Sequence, residues 1–244
     1  MNFKDILNEQ IALDFSLDLC DVKSYKNIFT KDLKKDGRRI YEWDNALLKG
    51  CAINNKFIFA SENEELLKIL KEEFEYINAG FISSFSNLKK INNILYNFGH
   101  TICDCHHYYI PSKTVEFNKD FPVKWFEKDE LYIFKGNEDF KNALEFSSLR
   151  PDMLSVCAYC GDEITGMAAA SYDSKYMWQI GINVKDKFKG MGIGAYLVNL
   201  LKEEIIKRGV MPFYGTVESH IYSQKIALKC GFTPAFWQMY STKI

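Results

Sequence analysis

An excess of one charge is missing from this chain: 31 Lys and Arg stand against 32 Asp and Glu, a net of −1 over 244 residues. No global positive field is available to hold nucleic acid or an anionic membrane, so any phosphate site must be a local one. Long apolar runs are missing too. Nowhere do the roughly 18 consecutive apolar residues of a membrane span occur, and Lys4, Asp5, Glu9, Asp14 and Asp18 interrupt Met1 to Leu19, which argues against a secretory signal. Five prolines and 14 glycines are too few to mark a flexible linker. The seven cysteines (Cys20, Cys51, Cys103, Cys105, Cys157, Cys160, Cys230) are odd in number and scattered, unlike a disulfide framework. They read as small buried hydrophobes of a reducing, cytoplasmic protein. What is plentiful is apolar material, 47% with 15% aromatic, enough for one large domain or two packed halves.

Periodicity divides the chain in two. Helical spacing (Phe3, Ile6, Leu7, Ile11) covers 2–15, and 41–50 reads as a loop or a turn of helix. Cys51 to Ala60 reads as a hairpin turning at Asn54-Asn55, residues that tolerate positive φ. Ser61, with Glu64 three residues on, predicts a capping box for a helix through Leu66, Leu70 and Phe74. A helix over 86–98 stops at Gly99, and a strand over His100 to Ile110 ends at Pro111. In the second half, Val123–Phe134 reads as one or two strands, and Asn137 caps a short helix near 138–147. Leu154–Tyr159, Ile164–Tyr172 and Met177–Val184 form an antiparallel meander. A helix over 193–206 closed by Gly209, a strand over 210–217, a helix over 220–230 and a strand over 232–241 follow. The whole is α/β of the α+β type.

The stretch Ile182 to Gly194 carries the chemistry. A strand ends at Val184, and Gly190, Gly192 and Gly194 sit where the next helix begins. Glycines there let a ligand approach the backbone, and the helix N-terminus adds about half a positive charge, so a phosphate or pyrophosphate is the natural guest. A Walker loop would need Gly-Lys followed by Ser or Thr, whereas Gly194 is followed by Ala195-Tyr196. A dinucleotide fold would place the loop after the first strand of a parallel unit, and here three antiparallel strands precede it.

Lys189-Gly190-Met191-Gly192-Ile193-Gly194 resembles the acetyl-CoA pyrophosphate loop of the GNAT superfamily of N-acetyltransferases, written Arg/Gln-x-x-Gly-x-Gly/Ala. Ser219 through Phe232 is similar to that family's second signature, which runs from Asn-x-x-Ser/Ala to a terminal Gly-Phe. Gly209 to Gly215, with Ser223 and Ala227, resembles a larger clostridial or bacillary branch that includes antibiotic-resistance-type acetyltransferases. The resemblance implies a GNAT mixed sheet with flanking helices over 121–244, preceded by an α/β half over 1–120 that shapes the acceptor site. It implies acetyl-CoA as co-substrate, held by Ile182, Asn183, Val184, Lys189, Gly190, Met191, Gly192, Ile193, Gly194, Ala195, His220 and Ser223. Three departures stand out. Lys189 replaces Arg or Gln and would act as a point charge. His220 stands where Asn contacts the pantetheine arm, and Ala227 where many members carry a proton-donating Tyr.

Acyl transfer needs a base for the amine and stabilisation of the oxyanion. Glu218 is the first candidate base, or else a solvated strand-end carboxylate. His220 titrates in a useful range or simply caps the helix, and Tyr222 could serve as acid or as a surface residue. Asp173, at the turn before Met177, completes the candidates; Gln179 is neutral where some relatives have a carboxylate. No metal is expected. Alternation puts Cys103, Cys105 and His107 on one strand face and Asp104 with His106 on the other, and it separates Cys157 from Cys160. The expected partners are acetyl-CoA and a small amine or peptide-like acceptor, with no nucleic acid and no membrane; oligomeric state stays open, a dimer included. A non-catalytic acyl-CoA-binding or regulatory protein and a zinc module are the rival readings.

Overall fold

In the computed structural model, which describes residues 1–41, 44–118 and 120–244, contacts divide the chain into Asn2–Tyr108 with Ala235–Ile244, and Tyr109–Pro234 with Met1. Each unit has its own core. None of the described helices is long and apolar enough to cross a membrane.

The first unit begins with α1 (Phe3–Asp14), whose cap Asn2 accepts the N–H groups of Lys4 and Asp5. The short α2 (Leu19–Lys23) and β1 (Ile28–Lys31) follow, neither with an apolar period long enough to announce it. Lys56, wholly buried, explains α2: its Nζ donates to the carbonyls of Asp21 (2.9 Å), Val22 and Ser24 (2.6 Å), a cation on the carbonyl end of the helix. β2 (Lys49–Ile53) and β3 (Lys56–Ser61) form the expected hairpin, with Asn54 and Asn55 at φ 50° and 60°. β1 pairs parallel to β3, and residues 237–240 of the last strand pair antiparallel to 49–52 of β2.

In α3 (Glu64–Phe74) the cap differs from expectation. Asn63 accepts the Leu66 N–H at 2.9 Å, while Ser61 still belongs to β3 and donates its hydroxyl to the Leu47 carbonyl. The Ser61 oxygen accepts the N–H of Asn63 at 3.0 Å, ahead of the helix, and Asn63 takes the cap position, so the capping box fails. α4 (Phe85–Tyr96) and β4 (His100–Pro111) then complete the unit, with Gly99 at φ 70° between them. The expected loop or helix turn at 41–50 falls partly on residues 42 and 43, which lie outside the described residues; from Lys49 the chain is β2. Phe57, Phe59, Leu70, Phe74, Ile91 and Leu95 form the core with Trp237 and Met239.

The second unit is built on β5 (Val123–Glu127), β6 (Asp152–Cys160), β7 (Glu163–Tyr172) and β8 (Met177–Val184), each antiparallel to the next. The crossover helix α5 (Ile193–Lys207) returns the chain to β9 (Met211–Thr216), parallel to β8. Then comes α6 (Ile221–Lys229), and β10 (Phe232–Lys243) ends the chain, its residues from Ala235 on counted with the first unit. Two expectations need correction. After Glu127, residues 128–134 form a 3-10 turn rather than strand, because the Glu127 and Glu130 side chains cap it reciprocally. Near 138–147, only Glu138–Phe140 is helical, as one 3-10 turn under Asn137.

Alternation gives the sheet two apolar faces. Leu154, Val156, Ala168, Ala170 and Ile180 meet α5 through Leu197, Val198 and Leu201. Cys157, Met167 and Ala169 meet Phe126, Phe134 and Phe140 on the other face. There the chain passes so close to β8 that a Cβ on Gly181 would lie 2.3 Å from the Asn142 carbonyl oxygen. Gly181→Ala is therefore expected to lower stability by about 1–3 kcal/mol through overpacking, measurable by urea denaturation; a change below a few tenths would show that segment 142–143 moves aside freely.

Candidate active site

β8 and β9 are in register from Met177↔Met211 to Ile180↔Tyr214, and no pair follows. Both strands run further, to Val184 and Thr216, so their carboxyl ends are unpaired with each other, the usual place for a ligand in a sheet with a parallel crossover. Beyond β8 the Lys185 N–H bonds to the Thr165 carbonyl at 3.0 Å, and a 3-10 turn over Asp186–Phe188 leads to the glycines.

Each glycine has its own reason. Gly190 has φ 82°, and a Cβ there would meet nothing within 4 Å, so the requirement is backbone conformation beside open space. Gly192 is the α5 cap at φ 94° and ψ −1°, where no side chain bonds the first N–H groups and no acid stands in the first turn. Gly194 is for packing: a Cβ would be 3.3 Å from both the Val184 Cγ2 and the Ile226 Cδ1. The junction between β3 and α3 shows the contrast. That helix start is filled by the Asn63 side chain and carries Glu64 and Glu65, so it repels anions, whereas the α5 start is open to them.

Ile182 and Val184 face α5, with side-chain atoms 3.8 Å and 3.3 Å from the Gly194 Cβ position. Asn183 faces the other way, where its Oδ1 accepts the Asn142 N–H at 2.8 Å, and its backbone is in register with Met167 of β7. Met191 is exposed, while Ile193 and Ala195 are buried and can offer only N–H groups. Lys189 is exposed and its Nζ lies 2.5 Å from Asp186, whose carboxyl it holds below the ordinary range. This solvated pair is weak and can open for a stronger anion.

Glu218, His220 and Tyr222 all sit in the exposed turn and first helical residues between β9 and α6. The Glu218 carbonyl accepts the Gln224 Nε2 at 2.6 Å. His220 caps α6 by position only, its side chain making no cap bond. Lys225 Nζ stands 5.9 Å from the centre of the Tyr222 ring. Asp173 is no proton carrier for this site. It is buried at the opposite end of β8, accepting from Ser171 Oγ (2.9 Å) and the Gln179 N–H (3.1 Å), with Arg150 at 3.5 Å. Cys157 is buried, its thiol pushed up to about 12, and Cys160 is exposed.

Two features escaped sequence reasoning. Lys113, Val115 and Asp120 hold α5: Tyr196 donates to Asp120 at 2.6 Å, Asn199 to the Val115 carbonyl at 3.0 Å, and buried Lys202 to the carbonyls of Lys113 (3.3 Å) and Cys230 (2.7 Å). Such bonds join residues far apart in sequence and leave no local pattern. The second is a buried pair of hydroxyls, Tyr214 and Ser223, 2.7 Å apart. A Tyr in a strand otherwise reads as core.

Residues 114–232 match the family model described as Acetyltransferase (GNAT) family. This is a GNAT acetyltransferase domain. It makes the protein an acyltransferase of a family that uses acetyl-CoA. Solved GNAT structures similar to this chain include a GCN5-related N-acetyltransferase-like protein from Streptococcus suis, 14% identical over 84% of this chain and 87% of that one, with TM-score 0.48. A GCN5-related N-acetyltransferase from Kribbella flavida is 14% identical over 62% of each chain, with TM-score 0.46. An acetyltransferase from Bacillus subtilis, in complex with CoA, is 20% identical over 51% of this chain and 99% of that one, with TM-score 0.37. No curated protein matches. The residues of the GNAT domain fit the coenzyme's pyrophosphate: uncapped N–H groups, backbone open at Gly190 and a displaceable Lys189 converge on the start of α5.

Proposed function

We propose that this domain moves the acetyl group of acetyl-CoA to a primary amine by direct attack within a ternary complex. The observation that carries the reading is the open, glycine-shaped start of α5 directly after β8, beside the point where β8 and β9 cease to pair. The N–H groups of Gly190 to Ala195 and the Lys189 charge take the pyrophosphate. Backbone at Ile182, Asn183 and Val184, with His220 and Ser223, takes the pantetheine arm. A backbone N–H on β8 polarises the thioester carbonyl, and such preorganised donors supply several kcal/mol of transition-state stabilisation. Glu218 removes the amine proton, directly or through water, with His220 and Tyr222 as the other groups able to exchange protons there. The acceptor is a small amine or peptide-like molecule, chosen with residues 1–120, and the setting is cytoplasmic.

Acetyl-CoA at about 100 times its Kd should stabilise the protein by about 2.7 kcal/mol, seen as a rise in Tm. Thiol release from acetyl-CoA with a panel of amines then tests transfer. No Tm shift at millimolar coenzyme would refute the site. A shift with no thiol release for any amine would favour coenzyme binding without transfer, the reading to which Ala227 lends weight.

A further inference from the structure

The large apolar side chains of the first unit gather in its core, yet four aromatic rings around the connection from α3 to α4 stand in water. Tyr76 is 93% exposed, Tyr25 88%, Phe85 82% and Phe81 65%. A single exposed ring is ordinary, whereas a group of them marks a contact surface. Hydrogen bonds hold the four in one region. Asn27 Nδ2 donates to the Glu75 and Ile77 carbonyls at 3.0 Å and 2.8 Å, which clamps Tyr76 beside the segment that carries Tyr25 into β1. A 3-10 turn over Ala79–Phe81 follows. The Ser84 N–H and Asn87 Nδ2 both donate to the Phe81 carbonyl, at 3.0 Å and 2.7 Å, so Phe81 and Phe85 flank one turn at the start of α4. Ala79 and Ile82 anchor this connection in the core, so the rings project from a fixed backbone and lose little entropy on being covered.

Area and charge decide what covers them. An aromatic side chain buries about 150–250 Å², so four at these exposures offer roughly 650 Å². That is at the upper limit of the apolar patch of an ordinary monomer and approaches the roughly 800 Å² that each partner gives to a standard interface. A two-fold axis uses the same patch twice, which brings the apolar contact alone to roughly 1,300 Å², within the range of stable interfaces. Around the rings, residues 71–90 set Glu72, Glu73 and Glu75 against Lys71, Lys89 and Lys90, with Lys71 3.8 Å from Glu75 and Lys90 2.5 Å from Glu73. No excess of either sign would meet itself across the axis. Lys26 beside Tyr25 adds one positive charge, far short of the cluster that holds a polybasic segment to an anionic bilayer.

We infer that a second copy of this chain covers the patch, making the protein a two-fold dimer joined through Tyr25, Tyr76, Phe81 and Phe85 of each first unit. An isologous contact suits the residues present: apolar rings at the centre meet their own kind, and the mixed charges of 71–90 form a rim in which opposite signs can face each other.

Sedimentation equilibrium of the whole protein tests this. At about 100 μM, above the micromolar Kd at the weak end for interfaces of standard size, the wild type should show twice the mass of the chain. Phe85→Glu and Tyr76→Glu each remove a ring and place like charges in the contact, in both copies at once, so each should raise the dissociation constant at least about a hundredfold. Tyr132→Glu, at an exposed tyrosine of the second unit, should leave it unchanged. All three positions are exposed, so circular dichroism should report intact folds; if one patch variant unfolds, the other still locates the contact. A wild-type monomer at that concentration overturns the inference, and so does a dimer that survives both patch substitutions. A monomer that instead sediments with vesicles of phosphatidylcholine and phosphatidylserine, and ceases to do so as Phe85→Glu, would assign the patch to a bilayer and overturn it as well.

Discussion

Gly192→Asp should fold and lose the coenzyme-induced rise in Tm. Two effects act together. At φ 94° an L side chain is strained, which costs on the order of 1–2 kcal/mol, a loss most domains survive. The carboxylate then stands at the helix start, where it neutralises the partial positive charge and faces the pyrophosphate. Like charges about 4 Å apart near a protein surface repel by about 4 kcal/mol, roughly a thousandfold in affinity. Gly192→Ala separates the terms, because it carries the strain without the charge; its Kd should rise far less than that of Gly192→Asp. A folded Gly192→Asp protein that keeps the full Tm shift would show that the α5 start does not hold the coenzyme.

The candidate site was legible because the loop that shapes it is local. Gly190, Gly192 and Gly194 are spaced by what three successive backbone positions need, so thirteen residues around them announce a strand end, a turn and a helix start. The meander β6 to β8 and the crossover through α5 were equally visible, since alternation and helical period dominate well-buried elements. Misreadings fell where a side chain had to choose between two backbone partners. Ser61 was set to cap α3, yet it ends β3 and bonds to Leu47, which is far from it in sequence. Val123–Phe134 is rich in aromatic and aliphatic residues as a strand would be, but after Glu127 reciprocal capping by Glu127 and Glu130 turns the chain instead. Asp173 was legible as an acid at a turn, not as one buried against Arg150, Ser171 and the Gln179 N–H. The partners that decide burial of a polar side chain are supplied by the fold.

Arg39 is the sharpest case of that kind, and Asp14→Ala is expected to be among the most destabilising single substitutions in the first unit. The Arg39 guanidinium is completely buried: its Nε meets Asp14 at 2.6 Å, while its other nitrogens reach the Tyr41 hydroxyl at 3.1 Å and Gln238 at 3.3 Å. The Phe236 ring lies 5.1 Å away. Burial works against the charge, but Asp14 and the neighbouring tyrosines outweigh it, so Arg39 stays ionised. Asp14 also accepts the Arg39 N–H at 2.7 Å and Gln10 at 2.8 Å, tying α1 to the segment before β2. Removing Asp14 alone leaves a charged guanidinium in an apolar setting, which costs about 3–5 kcal/mol. That is a large part of a typical domain's stability, about 5–15 kcal/mol. Replacing both members, Asp14→Leu with Arg39→Met, should cost far less than either the Asp14 or the Arg39 substitution alone, because the buried charge disappears with its partner. Urea denaturation of the two single variants and the double variant closes the cycle. Purely additive losses would mean that water already relieves the pair, and that apolar packing rather than this bridge holds α1 in place.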